Sequence, residues 1–397
     1  MPRKKSITRT FIRFWTGALL KLGLPAIFGP YRGLSAQKIT DEAFPAQKIF
    51  FSPEAEIRAT NLNSSLRSGE LYPGIGFRFL QNAKVTDNRR CAAVVYGDQF
   101  LIPKASDDGP WNVVVGEPFT GGVIHQSGFK LLVNTSSSGS VEKGIFVGSW
   151  SPHNWFHWTI DTLPSVWLAA RLPDEYDNFP ILLPKKALDR PAWREPLSLV
   201  IGNRDIVELP NDNYLSVDRL VWIDSPTCPG PLPTEKTLTR GNFRAHGSAL
   251  NAFRADILKS LNINESEFEP ARRVFLARRG GGNRPYNQEE LIEVGNEFAF
   301  ETHYLEDLSF ESSVRLMLET AILIGPHGAG WASALFCPQN ITAIMWSWEG
   351  ARNDNWFSNI AQIRNMNMKV LLDFQSREGH FWLDKHILRA NLLALLT

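Results

Sequence analysis

The sequence predicts an α/β protein of two domains. Three observations lead there: a length of 397 residues, a second half in which short apolar strands alternate with helical patterns, and a glycine-rich turn between one of those strands and a helix-compatible run. A domain takes ~150 residues, so the chain exceeds one ordinary core. Strands alternating with helices of ~10–15 residues imply a parallel sheet. Ligands of such sheets sit beyond the C-terminal ends of the strands.

The first 40 residues stand apart, with eight Lys or Arg and no acid before Asp41. Residues 11–28 are apolar but interrupted by Arg13, Lys21 and Pro25, whereas a spanning helix needs ~20 mostly uncharged residues. A basic amphipathic anchor touching a membrane surface through residues 1–30 fits this segment. A solvated tail and a secretory signal with a broken apolar stretch are the alternatives.

Residues 92–96, 112–115 and 144–147 read as short strands. A helix follows: Ser151 can cap it, Pro152 suits its first position, and its apolar run continues to about Ala170, with a kink expected near Pro164. Residues 179–183 and 220–223 are apolar strands. Residues 226–242 are rich in Pro, Gly and Thr and make the best linker, giving domains of 41–240 and 241–397. In the second domain, strands are expected at 273–277, 298–304, 321–324, 342–346 and 369–374, and helices at 249–261 and 355–363. Asn287 caps a further helix with Glu290 in the capping-box position. Ser309 caps the next, whose Phe310, Val314, Met317 and Ala321 share one face.

Composition narrows the function classes. The chain is 43% apolar and 21% charged, as a soluble globular protein is. A net charge of +1 and the lack of a basic run with interleaved aromatics in the body argue against nucleic acid as a partner. Cys91, Cys228 and Cys337 are far apart and form no Cys-x-x-Cys, which argues against a disulfide framework or zinc ribbon and for a reducing compartment.

Three constellations carry chemistry. Gly325-Pro326-His327-Gly328-Ala329-Gly330 follows an apolar strand. Its backbone can approach a ligand closely, and a helix N-terminus beyond it favours an anion such as a diphosphate; a mere tight turn is the other reading. His327 adds a donor for phosphate or ribose. Arg278-Arg279-Gly280-Gly281-Gly282-Asn283-Arg284 also follows a strand. Its guanidiniums make a diphosphate clamp or, alternatively, a solvated basic loop. Third, His153, His157 and Asp161 are four apart and share a face if helical. They can act as a general-base group, as zinc ligands, or as locally bonded residues of a helix start. The glutamate of His-Glu-x-x-His is missing.

Together these residues resemble glycosyltransferase family 61. The resemblance rests on four blocks in order over roughly 140–350: His153-Asn154-Trp155-Phe156-His157-Trp158 with Asp161-Thr162-Leu163-Pro164; Arg278-Arg279 with Arg284, Asn287 and Glu290; Leu308-Ser309-Phe310; and the Gly325 to Gly330 loop with Leu335-Phe336-Cys337-Pro338. It implies a GT-B arrangement, two Rossmann-like domains facing a central cleft, with the donor held mainly by the C-terminal one. It further implies an inverting, metal-independent transferase with a UDP-sugar donor and no cofactor, and the sequence contains no Asp-x-Asp. Similar proteins add GlcNAc or pentoses to proteins, xylans or surface polysaccharides. Asp161 or His157 is then the expected base, with His153 nearby. Arg278, Arg279, Arg284 and residues Gly325, His327, Gly328, Ala329 and Gly330 hold the donor. The chain departs from the pattern at Ser313, where relatives often have Gln, and in 341–346, which lacks the usual Glu. Glu349 replaces that ribose partner from a shifted position, or ribose is held otherwise. The tail and reduced thiols suit a cytoplasmic enzyme of surface-polysaccharide synthesis, peripheral at the inner face of the membrane. The rival readings are a non-catalytic nucleotide- or glycan-binding protein of the same fold, and a metal-dependent hydrolase built on His153, His157 and Asp161.

Overall fold

The structure is a computed structural model that describes residues 31–396 except 58–69, 89–90, 106–110, 113–121, 149–150, 152, 211–212, 229–231, 234–242, 280–284, 352–354, 373–374 and 378–379. The expected membrane-surface contact of residues 1–30 therefore lies outside the described residues, as do Pro152 and Arg284. No described helix is long and apolar enough to cross a membrane. The chain divides into two compact units, Met1–Glu54 with Leu71–Leu238, and Ala55–Glu70 with Thr239–Thr397.

The first unit is built on one large mixed sheet. Its described strands are β1 (Tyr31–Lys38), β2 (Lys48–Phe51), β3 (Ile75–Asn88), β4 (Cys91–Tyr96), β5 (Gln99–Ile102), β6 (Val123–Ser127), β7 (Lys130–Asn134), β8 (Ser137–Phe146), β9 (Ile181–Pro184), β10 (Ile206–Leu209) and β11 (Tyr214–Ile223). They are ordered β10-β9-β8-β11-β3-β4-β5-β1-β7-β6, with β2 added on β3. β10, β9, β8 and β11 run parallel. Their spatial order, 3-2-1-4 in chain sequence, matches the first four strands of the doubly wound order 3-2-1-4-5-6 and reverses between β8 and β11. The sheet then continues beyond β11 mainly antiparallel, through β3, β4 and β5.

Two expectations are corrected here. The first domain is more than a Rossmann-like unit, because the N-terminal strands extend the same sheet instead of forming a separate β region. Tyr31–Lys38, assigned to the basic tail, is strand β1, with Leu34 and Ala36 buried and partners on both edges.

The core of this sheet packs Leu80, Val94, Leu182, Val217 and Leu220 with the Phe146–Trp222 ring pair, 5.0 Å between centroids. A buried ion pair anchors the end of β11. Arg78 on β3 donates through Nη1 to Asp224 Oδ1 at 2.5 Å and through Nε to the Phe44 carbonyl at 2.6 Å. Gly76 N–H donates to the other Asp224 oxygen at 3.1 Å. Burial pushes the Asp224 carboxyl above its ordinary range, and the Arg78 guanidinium opposes that shift.

The second unit holds helices α1 (Gly247–Ser260), α2 (Gln288–Glu297), α3 (Phe310–Leu318), α4 (Trp356–Ile363) and α5 (Lys385–Leu396) around strands β12 (Arg272–Ala277), β13 (Glu301–Tyr304), β14 (Thr320–Pro326), β15 (Thr342–Trp346) and β16 (Asn367–Leu371). The strands pair in parallel in the order β13-β12-β14-β15-β16. This 2-1-3-4-5 order is doubly wound and reverses between β12 and β14. Ser309 caps α3 by accepting from Ser312 N–H at 3.0 Å. That helix ends at Leu318, so Ala321 belongs to β14 and not to the helix face. Asn287 stands at the start of α2, but its side chain bonds Leu383 N–H and C=O and Glu290 Oε2 in place of a helix N–H. Residues 55–57 join this unit: Ile57 and Ala245 exchange backbone bonds of 2.9 and 3.0 Å, and Arg244 pairs with the buried Glu56 carboxylate.

Gly325, inside β14, lies against the neighbouring strand. A Cβ there would stand 2.9 Å from Leu276 Cβ and 3.0 Å from its carbonyl oxygen, whereas at Gly330 the nearest atom is Leu305 Cδ1 at 3.4 Å. Gly325→Ala is expected to lower the unfolding free energy by about 1–3 kcal/mol through overpacking. Gly330→Ala should stay within about 0.5 kcal/mol of wild type. Denaturant midpoints of the two variants check this, and equal midpoints would refute the close-approach role of Gly325.

Candidate functional site

In the first unit, the chain leaving β8 forms a helix in three parts: Trp155–His157 is α-helical, Trp158–Thr162 is a π-turn, and Leu163–Ala169 is α-helical again. The expected start at Ser151 is corrected, because Asn154 is the cap and accepts from Phe156 N–H at 2.9 Å. His153 precedes the cap and so does not share the helical face of the other two residues. The expected irregularity near Pro164 takes the form of the π-turn. Pro164 has no N–H and its ring would crowd the carbonyl four residues back. Leu163 N–H instead reaches the Trp158 carbonyl, five residues back, and the helix widens just before the proline.

The widened turn brings His157 and Asp161 together. His157 Nδ1 lies 2.7 Å from Asp161 Oδ2, with the residues 3% and 2% exposed. The other carboxylate oxygen accepts from Thr227 Oγ1 at 2.6 Å. Ser165 Oγ donates to the Asp161 carbonyl at 2.9 Å. Thr227 and Ser225 follow β11, directly after the anchored Asp224. The pair therefore sits at the C-terminal ends of β8 and β11, where the strand order reverses and where a ligand of such a sheet is expected. A carboxylate only accepts, so the proton of this contact belongs to the imidazole, and His157 takes the tautomer protonated on Nδ1.

Both Asp161 oxygens are engaged, and among the described residues no group of three His, Cys, Asp or Glu side chains is placed to hold a metal ion. Trp158 is core: it stacks on Trp193 at 5.4 Å and is fully buried.

Thr227 and Ser225 were not singled out in the sequence. They fall at or beside the Pro-, Gly- and Thr-rich stretch read as a linker. Their only local signal is that they closely follow an apolar strand.

In the second unit, the two expected donor segments meet at the other reversal of strand order. Arg278-Arg279 leaves β12 and His327-Gly328 leaves β14. Arg278 crosses the loop: its Nη2 donates to the His327 carbonyl, and a Cβ at Gly328 would lie 2.5 Å from that nitrogen. Its backbone exchanges bonds of 2.7 and 3.0 Å with the Gln288 side chain. Arg279 is 56% exposed, stacks at 3.9 Å over Tyr304 and pairs with Asp307, which holds that carboxyl below its usual range. The His327 ring is 7% exposed and stands edge-on to Trp348 and Phe357, at 4.9 and 4.7 Å. The backbone N–H of His327 donates to the Trp346 carbonyl at 2.8 Å. Ala329 opens a 3₁₀ helix, Ala329–Phe336, that contains Gly330. Glu349 opens an exposed 3₁₀ turn after β15.

Two kinds of chemistry are thus available. One unit presents an imidazole held by a buried carboxylate, the pairing that orients a general base. The other presents arginines and a glycine loop at the end of a doubly wound sheet, where phosphates are commonly bound. No curated protein matches the chain. Residues 155–345 match the family described as Glycosyltransferase 61. That span holds His157 and Asp161, Arg278 and Arg279, and the loop from Gly325 to Gly330, and over these residues the chain is matched to glycosyltransferase family 61.

Proposed function

We propose that this glycosyltransferase moves a sugar from a UDP-sugar to a glycan hydroxyl with inversion at the anomeric carbon. The observation that carries the reading is the buried His157–Asp161 pair at the end of β8 and β11. His157 Nε2 takes the acceptor proton as the acceptor oxygen bonds to the anomeric carbon. The bond from that carbon to the diphosphate oxygen breaks, and the nucleotide leaves with the electron pair. Asp161 is the orienting carboxylate. Its two oxygens are occupied by His157 and Thr227, which favours His157 over Asp161 as the base.

The departing diphosphate needs fixed positive charge or aligned N–H groups. Arg278 and the loop His327–Gly330 supply them in this reading, with Arg279 at the rim; Arg284 is a further donor-binding residue in the same proposal. Arg279 must exchange Asp307 for phosphate, so its contribution is the smaller. His327 shapes the loop from between Trp348 and Phe357, and Glu349 is the ribose partner in this reading. A GT-B arrangement of the two units, a role in surface-polysaccharide synthesis and a location at the inner face of the membrane complete the proposal.

UDP is expected to raise the melting temperature, by the equivalent of about 2.7 kcal/mol at 100 times its Kd. Arg278→Ala should weaken UDP binding roughly ten- to hundredfold, as loss of a charge-assisted bond does, and Arg279→Ala should weaken it less. A nucleotide that shifts neither wild type nor variant at millimolar concentration would sink the donor site.

His157→Ala is expected to lower kcat by about 10²–10⁴, the usual contribution of a general base, with UDP binding intact. Asp161→Asn should follow it. Rapid transfer by His157→Ala, measured as UDP release from UDP-GlcNAc or UDP-xylose with a panel of methyl glycosides, would overturn the assignment.

Transfer should also survive EDTA, since arginine and backbone N–H groups replace a cation in this mechanism. Activity lost to chelator and restored by manganese or zinc would count against it.

A further inference from the structure

We propose that Thr227 is a positioning residue for the transfer step, acting through Asp161. The inference rests on the reading of His157 as base and deepens it. Asp161 is 2% exposed, so each of its oxygens needs a protein donor. His157 Nδ1–H serves Oδ2 at 2.7 Å, and the Thr227 hydroxyl serves Oδ1 at 2.6 Å. Two donors on opposite oxygens fix the carboxylate plane. With one removed, the group can turn about its Cβ–Cγ bond and carry Oδ2 away from His157.

Thr227 is itself held firmly. It is 2% exposed, and its N–H donates to Ser225 Oγ at 3.3 Å. Ser165 Oγ, one turn beyond Asp161, lies 3.3 Å from the same Ser225 oxygen while its proton goes to the Asp161 carbonyl, and Tyr72 Oη–H donates to the Ser225 carbonyl at 2.8 Å. Ser225 Oγ lies 3.4 Å from Thr227 Oγ1, whereas the Asp161 oxygen at 2.6 Å can only accept. The Thr227 proton is then committed to Asp161. Hydroxyls from the segment after β11 thus set the rotation of a carboxylate on the helix after β8, and through it the direction of the His157 ring.

Thr227→Val keeps the shape and removes the hydroxyl; Thr227→Ser keeps the hydroxyl. The valine variant is expected to lose roughly ten- to hundredfold in kcat, as removal of a hydrogen bond to a charged group does. KM for UDP-GlcNAc or UDP-xylose should be unchanged, and the serine variant should recover nearly all of the loss. In an Asp161→Asn background the same valine change should cost nothing further, because a positioning residue acts only through its partner. A second readout needs no substrate. Proton NMR should show the hydrogen-bonded His157 Nδ1–H far downfield in wild type and Thr227→Ser, and shifted or broadened in Thr227→Val. Thr227→Ala reads the same losses if the valine variant does not fold. Wild-type kcat with an unmoved Nδ1–H signal in Thr227→Val would overturn the proposal, as would an equal kcat loss in the Asp161→Asn background. If His157→Ala is inactive while Thr227→Val is normal, only the role of Thr227 falls. If His157→Ala transfers normally, the reading of the base falls with it.

Discussion

A carboxylate removed from water must be met by donors, and Asp161 is the place where this chain has to satisfy that demand. Much of the first unit's local structure follows from it. Asn154 starts the helix late enough to leave His157 and Asp161 on one short stretch. Pro164 forces the widened turn that contains Asp161. The second donor comes from the far side of the strand-order reversal, so the segment after β11 must be held in place. The Arg78–Asp224 pair does so from the neighbouring antiparallel strand, itself a buried charge satisfied by several partners. The antiparallel half of the sheet thereby takes part in fixing a site located at the end of its parallel half.

Each unit places its chemistry at a point where the strand order reverses, although the two sheets differ. In the first, crossovers of opposite direction part between β8 and β11, and the gap is filled by helix and hydroxyl-bearing loop. In the second, they part between β12 and β14, and Arg278 spans the gap. The glycines of the loop serve this packing directly. Gly325 lets β14 approach Leu276, and Gly328 leaves the space through which Arg278 reaches the His327 carbonyl. Backbone freedom toward a ligand, the reason the sequence suggests for them, is thus joined by a demand from the protein's own neighbours.

The second unit was the more legible from sequence. Its strands are short apolar runs with caps and glycines at their ends, and Thr342–Trp346 has the expected bounds. The His157–Asp161 contact was readable too, since four-residue spacing survives the change from α to π geometry. The helix start was not. Ser151 and Asn154 have similar capping chemistry, and only tertiary packing selects between them. His153 was lost with that choice. The N-terminal strands were illegible for a different reason: Tyr31–Lys38 pairs with Gln99–Ile102 and Lys130–Asn134, and such distant pairings leave no periodic trace. Thr227 escaped because a hydroxyl in a turn-rich stretch looks like any other until its partner is brought to it.

Residues 55–57 bear on how the protein is made. They emerge in the midst of first-unit sequence, yet their strand partner Ala245 and the guanidinium that meets Glu56 follow about 190 residues later. At about 5–20 residues per second on a ribosome, the wait is on the order of ten to forty seconds. During it Glu56 stays hydrated and the segment loops out of a sheet already able to assemble on either side. A C-terminal piece cut at the boundary near residue 239 would carry Arg244 without its carboxylate. The second unit is therefore contiguous in space but not in the reading frame, and vectorial synthesis can finish it only after nearly all of the first unit's chain has appeared.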